Sequence, residues 1–184
     1  MFKLRILQFL AEKRLIAIVR AGSADVALQT AEACIAGGAV ALEIAFTTPD
    51  TLEVIRTLVG RHGNRILVGA GTVLDAETAR MAILAGARFM LAPNVEPAVI
   101  RTCNRYQVVS IPGASTPTEI VSAMEAGADL VKVFPGEAFG PQYFKALLAP
   151  LPYAPLMPSG GVTLENLEAW FQHGAVAVSA GSSI

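Results

Sequence analysis

Charge is scarce in this sequence. Charged residues make up 16% of its 184 residues against 53% hydrophobic, and 14 basic and 15 acidic side chains nearly cancel to a net charge of −1. No basic run or basic, aromatic-rich stripe is present, so nucleic acid is not expected as a partner. Cysteine is scarcer still. Cys34 and Cys103 lie far apart in segments that read as helical, which gives no disulfide framework and suits two small buried hydrophobes. Of the two histidines, His62 falls in the polar stretch Arg61-His62-Gly63-Asn64, read as a loop, and His173 precedes Gly174. Neither gathers with acids or cysteines at metal-ligand spacing, so no metal and no cofactor are expected. A Gly-x-Ser-x-Gly nucleophile elbow is also missing. No apolar run is long and unbroken enough to span a bilayer. Met1 to Lys13 lacks the apolar core and cleavage site of a secretion signal and reads instead as a short amphipathic helix. A cytoplasmic chain with no membrane partner is the expectation.

What the sequence does contain is a repeated pattern. Short β-rich apolar runs fall at 15–20, 41–46, 66–70, 88–92, 108–111, 130–134, 154–157 and 176–179. Their starts lie roughly 20–26 residues apart, room for one helix and two short loops each. Gly37-Gly38, Gly86, Gly127 and Gly174 each close a helical pattern just before a strand, where glycine readily takes the left-handed cap. Ser23, Asp75, Thr116 and Thr163 are suited to N-caps, and Pro117 to a first helical position. Alternating strand and helix implies a parallel α/β sheet. The regular unit and the absence of a Gly-x-Gly-x-x-Gly turn after the first strand favour a closed (β/α)₈ TIM barrel over an open doubly wound sheet. A single domain over 1–184 is expected, with an N-terminal helix and without an eighth helix after the last strand.

Four lysines occur, and only Lys132 sits inside an apolar strand, Leu130-Val131-Lys132-Val133-Phe134. Alternation sets it opposite Val131 and Val133. If the valines face helices, the amine faces the barrel interior, where desolvation favours its neutral, nucleophilic form. An internal ion pair is the alternative. Glu43 is likewise the lone charge of Ala41-Leu42-Glu43-Ile44-Ala45-Phe46, flanked on its own face by two alanines. It suits a proton shuttle, or a partner that merely pairs with Lys132. Arg20 ends the first strand and offers a planar fork for a carboxylate, or a solvated strand end. Gly69-Ala70-Gly71-Thr72 places a hydroxyl at a strand end, in a binding loop or an ordinary one. Pro158-Ser159-Gly160-Gly161 and Gly181-Ser182-Ser183 follow the last two strands, where barrels often hold phosphate.

Together these stretches resemble the 2-keto-3-deoxy-6-phosphogluconate (KDPG) and 4-hydroxy-2-oxoglutarate aldolase family. The resemblance runs from about Leu15 onward through residues 37–44, 68–73, 131–137, 139–147 and 158–162. It implies a homotrimeric barrel that cleaves KDPG reversibly to pyruvate and glyceraldehyde 3-phosphate, a keto acid and a phosphorylated aldehyde. By the same resemblance Lys132 is the Schiff-base lysine and Glu43 the acid/base group. Arg20 and Thr72 then meet the pyruvyl carboxylate, and Ser159, Gly160, Gly161, Gly181 and Ser182 the phosphate. Thr47 stands where some members carry arginine, which leaves more of the carboxylate to Arg20, and Ser159 replaces the commoner threonine. Within the family, 4-hydroxy-2-oxoglutarate and the galactonate epimer of KDPG are the alternative substrates. Outside it stand a phosphosugar isomerase using Glu43 alone and a catalytically silent, phosphate-binding assembly barrel.

Overall fold

The structure is a computed structural model that describes residues 2–181 and the side chains of residues 3–181. The chain opens with α1 (Phe2–Lys13) and then alternates. β1 (Leu15–Val19), α2 (Ala24–Ala36), β2 (Ala41–Ala45), α3 (Thr51–His62), β3 (Leu67–Gly71), α4 (Ala76–Ala85) and β4 (Phe89–Leu91) form the first half. α5 (Pro97–Arg105), β5 (Val109–Ile111), β6 (Gly113–Ala114), α6 (Pro117–Glu125), β7 (Val131–Val133), α7 (Pro141–Leu148), β8 (Leu156–Pro158), α8 (Leu167–Gln172) and β9 (Val178–Ala180) follow. All eight expected strands are present.

The strands line up in the orders β5-β4-β3-β2-β1-β9 and β6-β7-β8. These are parts of one wall. Pro112 separates β5 from β6; it has no N–H to donate, but its carbonyl accepts from Lys132 N at 2.9 Å. On the other side the parallel bridge Ser159–Ser179 and the bond from Val176 N to Leu156 O, 2.9 Å, join β8 to β9. The result is a parallel barrel. The break at Pro112 lay beyond the expected strand end, and it lets Gly113 approach the 92–93 backbone so closely that a Cβ would strike the Pro93 carbonyl.

Alternation sorts the side chains. Val19, Leu42, Ile44, Val68, Ala70 and Met90 point outward onto Ala27, Ala31, Val54, Ile55, Leu58, Ala79 and Ala82 of α2–α4. In the second half, Val131, Val133, Leu156 and Val178 meet Ile120, Ala123, Phe144, Leu147 and Trp170. Small alanines on α2 and α4 let those helices sit close to the sheet. The barrel interior holds Ile16, Ala41, Phe89, Leu91, Val109, Ile111, Leu130, Met157 and Ala177, and Ile6 and Leu10 of α1 pack among them. The N-terminal helix therefore closes the floor. Lys3 anchors it, with Nζ 2.7 Å from Asp129 and 2.5 Å from Asn104 Oδ1. Asp129 also accepts from the Ser110 N–H and hydroxyl at 2.8 and 3.1 Å.

Most helix ends follow the expected chemistry. Ser23, Asp75 and Thr116 cap α2, α4 and α6, and Thr116 with Glu119 makes a reciprocal capping box behind Pro117. Gly38, Gly86, Gly127 and Gly174 have φ of 99°, 107°, 92° and 96°. Two expectations are corrected. Thr163 does not cap a helix: α8 starts only at Leu167, and the Asn166 side chain takes the Thr163 N–H at 2.9 Å and the Trp170 indole N–H at 3.1 Å. His62 is not in a loop but ends α3, its Nε2 2.9 Å from Glu32 of α2.

Candidate active site

The C-terminal ends of the strands surround a cavity of about 390 Å³ lined by Ile18, Glu43, Lys132, Phe134, Ser159 and Ser179, with Arg20 at its mouth. Each side chain is there because of its strand register. Val131 and Val133 face the helices, so Lys132 and Phe134 face in. Glu43 lies between the outward Leu42 and Ile44 and is aligned with Ile18 of β1 and Gly69 of β3.

The two glycines of β3 serve different neighbours. A Cβ at Gly69 would enter the Phe89 ring, and a Cβ at Gly71 would occupy the Glu43 carboxylate. The close approach inferred for this segment is thus made by side chains of adjacent strands. Thr72, which follows, has φ of 60° and is not among the residues that line the cavity.

Lys132 is 7% exposed and Glu43 2%. Among the described residues no carboxylate comes within ion-pair distance of the lysine Nζ, which instead sits 4.8 Å from the centroid of the Phe134 ring. A buried salt bridge is therefore not what holds Lys132. Burial pushes its pKa down, Glu43 opposes that, and the positive charge of Arg20 adds to it. Burial pushes Glu43 up, opposed by Lys132 and Arg20. Glu43 Oε2 has no hydrogen-bond partner among the described residues. The chamber thus holds an amine whose protonation burial disfavours and a carboxyl whose pKa burial raises toward the range of a proton shuttle, a poise suited to nucleophilic attack coupled to proton transfer.

Arg20 is exposed just past β1 and forms no ion pair among the described residues, so its fork is free for an anion. Opposite, Gly160 and Gly161 have φ of 89° and 69°, a left-handed pair that other residues would hold only under strain. Gly136 lets the next loop close on them, with its N–H 2.7 Å from Ser159 O. Gly181 joins the same rim. Ser182 lies outside the described residues. No group of three or more metal-ligating side chains occurs among the described residues.

Of the sequence candidates, Lys132, Glu43, Arg20, Ser159, Gly160, Gly161 and Gly181 meet around one cavity, and Thr72 does not. Phe134 and Ser179 were missed. Both follow from alternation: Phe134 is two residues past Lys132, and Ser179 is a buried hydroxyl between the outward Val178 and Ala180. Ser179 Oγ also donates to Pro158 O at 3.4 Å, across the seam.

The family model "KDPG and KHG aldolase" matches residues 6–184. The chain is 39% identical over 179 residues to the 2-dehydro-3-deoxy-6-phosphogalactonate aldolase of Escherichia coli K12, covering 97% of this chain and 87% of that one. It is 35% identical over 178 residues to the 2-dehydro-3-deoxy-phosphogluconate aldolase of Treponema pallidum, covering 96% and 84%. A solved KDPG aldolase from Legionella pneumophila, with pyruvate captured as a covalent carbinolamine, superposes with TM-score 0.84 at 27% identity, covering 92% and 82%.

Proposed function

The chain belongs to the KDPG and KHG aldolase family, and from that premise we propose that it cleaves KDPG reversibly to pyruvate and D-glyceraldehyde 3-phosphate through a Schiff base on Lys132. The observation that carries this reading is the buried Lys132 amine, unpaired by any carboxylate among the described residues and facing a substrate-sized cavity that also holds Glu43.

The chemistry follows from the poise of the two groups. Neutral Lys132 adds to the C2 ketone, and loss of water with uptake of one proton from solvent gives an iminium. Ionised Glu43 takes the C4 hydroxyl proton. The C3–C4 electron pair then flows into the iminium, releasing the aldehyde and leaving the enamine of pyruvate. The proton held by Glu43 returns to C3, and water releases pyruvate and the free amine, giving back to solvent the proton taken up in imine formation. Arg20 grips the keto-acid carboxylate. Ser159, Gly160, Gly161, Gly181 and Ser182 take the phosphate. Phosphate binding is remote from the broken bond, so its energy orients the substrate.

Borohydride reduction with pyruvate should add one stable adduct at Lys132, read by mass spectrometry, and Lys132→Met should abolish both adduct and turnover. An enzyme that turns over substrate but leaves Lys132 unmodified at saturating pyruvate would instead use Glu43 as a base alone, as an isomerase does. Absence of both adduct and turnover would leave the silent barrel. A second reading is the galactonate epimer, favoured by the 39% identity to the Escherichia coli enzyme named for it. Parallel kcat/KM values for both epimers and for unphosphorylated 4-hydroxy-2-oxoglutarate separate these substrates.

A trimer is part of the proposal. Met81 and Leu84 stand 45% and 66% exposed on α4, with Leu74 just before it 51% exposed, an apolar patch that suits self-association. Light scattering tests it. Among the described residues no helix is long and apolar enough to cross a membrane, which accords with a proposed cytoplasmic location.

A further inference from the structure

We propose that the face of the Phe134 ring stabilises the positive charge on the Lys132 nitrogen once the imine has formed, in the place a carboxylate counter-ion would otherwise take. The inference rests on the Schiff-base reading above and adds to it a group that acts on the reacting nitrogen.

Three observations lead there. Lys132 Nζ stands 4.8 Å from the Phe134 ring centroid, within the distance at which an aromatic face attracts a cation. Among the described residues no carboxylate is near enough to Nζ to form an ion pair. Finally, the backbone that carries the ring is held in place. The Phe134 N–H donates to Ala114 O at 3.1 Å, the Ser115 hydroxyl donates to Phe134 O at 2.6 Å, and the Tyr143 hydroxyl donates to Ser115 O at 2.8 Å. Strand alternation sets Lys132 and Phe134 on one face, and these bonds fix the backbone from which the ring projects.

The physical reason for a ring rather than an acid lies in two opposed needs. The nucleophile must lose its proton, and a carboxylate in contact would hold that proton on. The imine must then keep its positive charge in a dry chamber, and an unpartnered cation there is costly. An aromatic face attracts a cation without approaching the strength of a buried ion pair, so it relieves the second difficulty while adding little to the first. During cleavage the cation becomes a neutral enamine. The ring should accordingly favour accumulation of the imine more than the breaking of the C3–C4 bond.

The test is a graded one. Phe134 is replaced by mono-, di- and trifluorophenylalanine, which keep nearly the same shape while draining the ring face of negative charge, and by leucine. For each, the pyruvate concentration that gives half-maximal borohydride-trapped adduct is read by intact mass. We expect that concentration to rise stepwise with each fluorine, reaching roughly 2- to 30-fold for the leucine variant. The single-turnover rate of bond cleavage should change less than the trapping constant. A fluorinated series indistinguishable from the parent overturns the inference, because the ring would then act through shape alone, even if leucine weakened trapping. A fluorination trend in cleavage rate without one in trapping overturns it as well. If the parent enzyme gives no adduct at all, it is the Schiff-base reading itself that fails, a result separate from any ranking of the variants.

Discussion

At the scale of single residues, Arg20 acts on the lysine as well as on substrate. Its positive charge disfavours a second one on Lys132 and so adds to the effect of burial. The neutral amine is the nucleophile, so the rate of imine formation rises as pH passes upward through the lysine pKa. Arg20→Gln removes the repulsion and raises that pKa. The acid limb of the pyruvate-trapping profile should move to higher pH, and loss of a charge-assisted grip of about 1.5–3 kcal/mol should raise KM roughly 10- to 100-fold. If KM rises while the limb stays in place, Arg20 serves only as a clamp. Gly71 carries a different constraint. A Cβ there would fall on the Glu43 carboxylate, so Gly71→Ala must displace the proton shuttle. Displacement of about 1 Å can lower kcat roughly 100-fold. Stopped-flow comparison should find cleavage slowed far more than pyruvate binding, whereas equal losses in both would mean that the strand itself had shifted.

At the scale of elements, alternation was the signal that made both the fold and the site legible. A lone charge in an apolar strand, as at Glu43 or Lys132, has one face to occupy once its neighbours are committed to helices. Helix caps were legible where the side chain acts on its own helix, as at Ser23, Asp75 and Thr116. They were not legible where a later residue competes, as when Asn166 rather than Thr163 organises the approach to α8. Thr72 has φ of 60° and is not among the residues lining the cavity, and nothing local in the sequence announces that backbone turn. Phe134 was overlooked because an aromatic residue at a strand end is ordinary until a cation is found against its face. The capping box gives a prediction at this scale. Backbone N–H groups and the Thr116 side chain hold the Glu119 carboxyl below its usual range of 4.5. Its contribution to stability is therefore present above that value and lost as pH falls through the depressed pKa. Thr116→Ala should lower stability by about 1 kcal/mol at neutral pH, a fall in Tm of roughly 2–4 °C. Thermal melts should show the difference from the parent shrinking in acid, and a gap that stayed constant down to low pH would mean the cap acts without Glu119's charge.

For the molecule as a whole, the same burial that makes the site reactive works against the fold. Lys132 has its pKa lowered from 10.5, so below 10.5 the unfolded chain binds a proton that the folded chain resists, and folding is weakened there. Glu43 has its pKa raised from 4.5, so stability falls as pH climbs from 4.5 through the raised value, where the unfolded carboxyl ionises freely and the buried one does not. Neither group recovers this through a direct ion pair, since among the described residues none joins them. Burial without a direct partner disfavours the charged form of each group, so replacing them with apolar or neutral side chains of similar size removes that cost. Lys132→Met combined with Glu43→Gln should therefore raise Tm by several degrees while removing all aldol cleavage, a trade common where a site is strained or desolvated for its chemistry. The gain should narrow as pH falls toward 4, where the Glu43 share disappears, while the Lys132 share, present at every pH below its lowered pKa, remains. Calorimetry of parent and double variant across that range decides the matter. A variant that melts below its parent at neutral pH would mean the two groups brace the barrel, and the chamber would then be a structural feature rather than a reactive one.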